Sequence, residues 1–192
     1  MKKIKYIAAF MLVAILATNM IFAGDLKTAE NFSLKDYNGK EIKLSDFKNS
    51  KAVVVIFIST QCPVSNAYNE RMAALYNDFK SKGVTILGIN SNKEETITEI
   101  KNHSKEHGFG FPVLKDEKNI IADKFGASST PEAYVMNGNF EILYHGRIDD
   151  STKADEVKSN DLRNALNDIL SGKTVTVNTT KAFGCSIKRV NS

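Results

Sequence analysis

The chain has 192 residues, 42% of them apolar and 25% charged, with 26 basic against 22 acidic side chains and a formal charge of +4. Its length fits one domain large enough to bury a core, and no internal repeat or low-complexity linker divides it. No basic patch is interleaved with aromatics, which argues against a nucleic-acid binder. The first element is export-like. Lys2, Lys3 and Lys5 precede an uninterrupted apolar run over residues 7–17, Thr18 and Asn19 break it, and Ala23 is a small residue suited to cleavage. Residues 1–23 therefore predict a signal peptide. The run is too short for the ~20 apolar residues of a spanning helix, so the membrane is met only through this segment if it stays uncleaved. Cleavage removes three lysines and no acid, taking the +4 to +1. The expected location is periplasmic or otherwise extracytoplasmic, where disulfides persist.

Beyond the leader, Asn38-Gly39 between two short alternating segments predicts a hairpin. Residues 52–58, "AVVVIFI", read as a strand buried on both faces. From Pro63 the period changes. Tyr68, Met72, Leu75, Tyr76 and Phe79 share one face of a helix over 63–82, which Gly83 stops. Residues 84–90 form a second buried strand and 94–108 a second helix, with "SNKEET" (91–96) as its cap and first-turn acids. A short strand in "FPVLKD", a short helix over 119–125, and two strands around Asn137-Gly138-Asn139 follow. Leu162, Ala165, Leu166, Ile169 and Leu170 mark a last helix ending before Gly172. Residues 173–192 read as an extended tail.

Only two cysteines exist, too few to staple a small scaffold, so each needs its own explanation. Cys62 follows a buried strand and opens a helix in "STQCPVSN", with Pro63 at an early helical position. A thiolate there faces unsatisfied N–H groups, which stabilise the anion and favour the nucleophilic form. The bland reading is a half-buried cysteine filling space at a strand end. Far along the chain, Thr130-Pro131 in "SSTPEAYV" directly precedes a strand and is a candidate cis peptide. Strand–helix–strand order early and a hairpin plus helix late describe a thioredoxin-like α/β fold. Its mixed central sheet carries helices on both faces and an N-terminal β-hairpin. In that layout the proline loop packs against Cys62 and leaves Thr130 free to pair with an extended chain.

With these motifs in order, residues 29–170 resemble the alkyl hydroperoxide reductase/thiol-specific antioxidant (redoxin) family. The likeness is strongest to a bacterial peroxiredoxin-like subgroup carrying "CPxS", "TPEA", "GRIDD" and a late "GCSIK". The resemblance implies an oxidoreductase acting on protein or small-molecule thiols and disulfides, with peroxides as a further candidate. It also implies a domain at 24–172 followed by a tail, 173–192, that carries Cys185. Two departures weigh against fast peroxide reduction. Val55 stands where the peroxidatic frame has proline, and Arg147 falls in "GRIDD", where it cannot be assigned as the activating arginine.

Ser65 occupies the place of the second thiol of a C-x-x-C motif, and its alcohol is too weak an acid to resolve a mixed disulfide. Cys185 is the only other thiol, and a flexible tail could deliver it, since loop-closure cost grows slowly with length. Three readings stay open: a redox pair with Cys62 as nucleophile and Cys185 resolving, a static disulfide in a non-catalytic binding module, and pairing of Cys185 between subunits. Thr130 and Pro131 complete the expected site. His103 and His107 stand four apart on a helix but lack a third ligand in sequence, so no metal centre is expected. Asp149 and Asp150 read as surface loop charges, and Tyr68 and Tyr76 as core. No cofactor is implied, and no phosphate-cradling glycine loop is present.

Overall fold

The computed structural model describes residues 28–190. The signal-peptide expectation for 1–23 lies outside them. Among the described residues no helix is long and apolar enough to cross a membrane.

The Asn38-Gly39 signal is realised as a hairpin of β1 (Ser33–Asp36) and β2 (Glu41–Lys43), with Gly39 at φ +82°. Then come β3 (Ala52–Phe57), β4 (Val84–Asn90) and β5 (Val113–Lys115). A two-residue β6 (Ser129–Thr130) leads into β7 (Glu132–Met136) and β8 (Ile142–Gly146). Seven strands form one sheet in the order β2-β1-β5-β4-β3-β7-β8. β3 runs parallel to β4, and β4 to β5, while β7 returns antiparallel on the other side of β3. This is the mixed sheet of a thioredoxin-like fold.

β3 is central, so its alternate residues feed two cores. Val54, Ile56 and Ile58 join Met72, Leu75 and Phe79 of α2 (Asn69–Phe79) and Leu162 and Leu166 of α5 (Asp161–Leu170). Val53, Val55 and Phe57 join Ile121 and Ala122 of α4 (Ile120–Phe125) on the opposite face. Every residue of β3 is buried, which is why its sequence is apolar without alternation.

Two helices differ from expectation. The run over 63–82 is broken: α1 (Pro63–Asn66) is a single turn, α2 restarts at Asn69, and residues 80–82 tighten into a 3-10 turn. At the break the Tyr68 N–H bonds back only three residues, to Ser65 O at 3.0 Å. Its ring is held beneath the Arg71 guanidinium at 3.8 Å, and its hydroxyl donates to Ser151 O at 2.9 Å. The apolar period continues across the break, so it is invisible as pattern. The second helix, α3 (Ile97–Glu106), starts three residues later than expected because Thr96, not the 91–95 run, is its cap. Thr96 Oγ1 accepts the Glu99 N–H at 3.2 Å, and the Glu99 carboxylate accepts the Thr96 N–H at 2.6 Å.

After α5 the chain follows the β8 edge. Asn178 O accepts the His145 N–H, and the Thr180 N–H donates to His145 O, both at 3.0 Å. The last strand among the described residues is β9 (Cys185–Ser186), paired antiparallel with β6 in a separate two-stranded sheet.

Candidate active site

β3 delivers the chain to Cys62, the N-cap of α1, at φ −80° and ψ 117°. The Cys62 sulfur accepts the Ser65 N–H at 3.3 Å and lies 3.4 Å from Thr130 O. Since α1 is one turn long, the local N–H, rather than a long helix dipole, is what this site offers an anion. Ser65 is fully buried, and its hydroxyl accepts the Ser59 N–H at 3.2 Å. It stands in the second-thiol position but is engaged in holding the turn.

The loop before Cys62 is clamped by a residue that the sequence reading placed elsewhere. Glu95, 3% exposed, accepts the Ser59 hydroxyl on one oxygen. Its other oxygen accepts Thr60 N–H at 2.6 Å, Thr60 Oγ1 at 2.8 Å and Asn90 Nδ2 at 2.5 Å. Ser59 Oγ in turn accepts the Cys62 N–H at 3.0 Å. Lys115 braces this loop from behind, donating to the carbonyls of Asn92 at 2.5 Å and Glu95 at 2.7 Å. Burial pulls the Lys115 ammonium below its ordinary pKa, against the opposing pull of Glu95. The Thr96-x-x-Glu99 spacing was the available signal: it starts the helix at Thr96 and leaves Glu95 outside it.

Opposite Cys62, the Thr130-Pro131 peptide is cis, as expected. Glu132 holds that loop by accepting Ser128 N–H at 2.8 Å and Ser129 N–H at 2.9 Å. Its other oxygen meets Tyr134 Oη at 3.0 Å and His145 Nε2 at 2.6 Å. Burial works to raise the Glu132 carboxyl, but the bonds from His145, Ser128, Ser129 and Tyr134 outweigh it and hold the group below the usual carboxylate range.

The tail completes the site. Thr130 pairs with Cys185 and Ser129 with Ser186, and the two cysteines, 123 positions apart, are joined in a disulfide with Cα atoms 5.9 Å apart. The bond lies within the chain, the pairing shared by the redox-pair and static-disulfide readings, and not between subunits. The tail is anchored on both sides of Cys185. Phe183 packs edge-on to Tyr68, 6.3 Å between centroids. Beyond it, Ile187 N–H donates to Ser128 O at 3.0 Å, Lys188 N–H to Asn92 Oδ1 at 2.8 Å and Val190 N–H to Asn119 Oδ1 at 2.7 Å. A cavity of about 190 Å³ beside the disulfide is lined by Ser59, Gln61, Glu95 and Lys188 along with the two cysteines.

Residues 26–151 match the AhpC/TSA family. The chain belongs to the AhpC/TSA family. It is 36% identical over 130 residues to the thiol-disulfide oxidoreductase ResA of Bacillus subtilis (strain 168), covering 65% of this chain and 71% of the relative. Two crystal structures each overlay with a TM-score of 0.81: a hypothetical protein of Sinorhizobium meliloti 1021 and an uncharacterized conserved protein of Geobacillus kaustophilus. They are 34% and 32% identical, cover 86% of this chain, and are themselves covered to 94% and 92%.

Other residues of this AhpC/TSA chain take structural places. Arg147 Nε pairs with Asp161 at 2.6 Å. Asp149 is not the surface charge expected: it is 2% exposed and ion-paired at 2.6 Å with Arg71, whose guanidinium covers the ring of Tyr68. Asp150 accepts the N–H groups of Lys158 and Ser159 at 2.8 and 3.0 Å. His103 and His107 lie 4.4 Å apart by ring centroid, and His103 Nε2 meets Asn69 Oδ1 at 3.3 Å. Among the described residues no group of three or more His, Cys, Asp or Glu is arranged to hold a metal ion.

Proposed function

We propose that the chain is an exported thiol–disulfide oxidoreductase with Cys62 as nucleophile and Cys185 as resolving thiol. The observation that carries this reading is the Cys62–Cys185 bond at the opening of α1, facing the Thr130-Pro131 loop. The name of the Bacillus subtilis relative supports the reaction class.

In the reduced chain the Cys62 thiolate, steadied by the Ser65 N–H, attacks one sulfur of a partner disulfide. The partner's S–S bond breaks, its second sulfur leaves as a thiolate, and a mixed disulfide stays on Cys62. Cys185 thiolate then attacks Cys62 Sγ and expels the partner's first sulfur as a thiolate. The partner gains two electrons and the chain ends oxidised. An external dithiol resets it by exchange, and an oxidised chain run in reverse oxidises a partner dithiol.

Peroxide as a substrate is the weaker reading, because Val55 is core and Arg147 is committed to Asp161. Export rests on residues 1–23 and is compatible with a lasting disulfide. One observation favours a static disulfide: Lys188 and Val190 hold the tail without it. Redox titration of the two cysteines with intact-mass readout separates the two. A potential near that of its compartment supports exchange, and one well below about −300 mV means a structural bond and overturns the enzymatic reading.

A further inference from the structure

Cys62 is 4% exposed, and its sulfur is enclosed by Ser65 N–H, Thr130 O and Cys185. A partner sulfur bonded to Cys62 therefore has to take the place of Cys185 Sγ. The main chain attached to that sulfur then falls along residues 128–130, the edge that the tail covers now. The tail's side chains alternate as a strand's should: Cys185 faces Cys62, Ile187 is 7% exposed among the second core residues, and Ser186 and Lys188 point to solvent. Ahead of the cysteine, a Cβ built on Gly184 strikes the Thr130 carbonyl, and Gly184 has φ +156°.

From this we propose that the apolar recess that holds Ile187 selects the extended, cysteine-bearing partner segment that pairs with the 128–130 edge. Residues 184–188 are its built-in competitor. This rests on the redox reading of Cys62. The tail states what the surface selects: glycine immediately before the reacting cysteine and a β-branched apolar residue two places after it, with no demand at the intervening position. The chemistry is the exchange already described. Cys62 thiolate attacks the partner cysteine's disulfide, the S–S bond transfers to Cys62, and the former partner of that cysteine leaves as a thiolate. Docking orders the partner strand, and the tail must first yield the edge.

The test uses the Cys185→Ser chain, so that adducts on Cys62 persist. Its substrates are short peptides whose cysteine is activated as a mixed disulfide with thionitrobenzoate. Release of that chromophore gives the rate, and glutathione disulfide, which carries no strand, calibrates the intrinsic reactivity of Cys62. The expected result is that Ala-Gly-Cys-Ser-Ile-Lys reacts about tenfold or more faster than Ala-Gly-Cys-Ile-Ser-Lys, relative to the glutathione rate. Adding Ile187→Asn, or ending the chain at Phe183, is expected to raise the first peptide's rate and leave the glutathione rate unchanged. Equal peptide rates with normal glutathione reactivity overturn selection by the Ile187 recess and leave the redox reading standing. A Cys62 inert to glutathione disulfide and to every peptide overturns both.

Discussion

Glu95 and Cys62 share one hydroxyl: Ser59 Oγ donates to the Glu95 carboxylate and accepts the Cys62 N–H at 3.0 Å. An anion is thus fixed two hydrogen bonds from the nucleophile, and its field opposes a second negative charge on the sulfur. Glu95→Gln, made with Cys185→Ser, is expected to move the pH profile of Cys62 alkylation toward lower pH. Glu95→Ala should also lose about 1–3 kcal/mol in denaturant unfolding, because the donors on Thr60 and Asn90 are left unpaired. An unmoved alkylation profile in the glutamine variant would make Glu95 a purely structural clamp.

Cys185→Ser is expected to turn the chain into a covalent trap. Partners or small thiols should accumulate on Cys62 in an oxidising compartment, since the buried Ser65 hydroxyl cannot expel them. Adding Ser65→Cys should release them by restoring a short-range resolving thiol, and Cys62→Ser should abolish them. Non-reducing electrophoresis and intact mass read all three. Equal adduct levels with and without Cys185 would assign resolution to an external thiol.

Reduction should open the tail only locally. The amides of Ile187, Lys188 and Val190 donate to Ser128 O, Asn92 Oδ1 and Asn119 Oδ1 independently of the sulfur bond. Hydrogen exchange on the reduced chain is expected to show faster exchange at residues 184–186 and retained protection at 187, 188 and 190. Loss of the crosslink should lower global stability by about 2–4 kcal/mol. Complete loss of protection through 190 would show that the disulfide alone holds the tail.

Glu132 should contribute a pH-dependent part of stability. Its folded pKa lies below the ordinary 4.5, so its contribution is present above that value and fades as pH falls through the folded pKa. Glu132→Gln is expected to destabilise by about 1–3 kcal/mol at pH 7. That gap between wild type and variant should narrow on acidification from pH 5 to pH 3, followed by urea unfolding. A gap constant across this range would refute the linkage.

What could be read from sequence had local causes. The Asn38-Gly39 turn needs a positive φ that glycine supplies, and β3 is apolar at every position because both its faces are covered. Cys62-Pro63 and Thr130-Pro131 were legible because each is set by its immediate neighbours. What stayed hidden depends on residues distant in sequence. Glu95 belongs to the active-site loop through Ser59 and Thr60, 36 and 35 positions earlier. The tail finds its path through side-chain oxygens of Asn92 and Asn119, 96 and 71 positions away. Asp149 looked like a loop charge until Arg71, 78 positions away, turned up against it.

The Cys62–Cys185 bond also makes the chain a mechanical device. It encloses 123 positions of sequence in a ring; of the described chain, residues 28–61 with β1, β2 and β3 lie ahead of it and residues 186–190 after it. Pulled from its two ends, the oxidised protein can pay out those outer stretches alone. At 3.3–3.6 Å per extended residue, roughly 400–440 Å of contour stays locked inside the ring until the bond is cut. A single molecule held in an optical trap would therefore display its redox state as the length of its unfolding step. Force applied to the oxidised form would peel β1, β2 and β3, which precede Cys62, and then load the junction of α1 with β9, leaving the strands inside the ring unpulled.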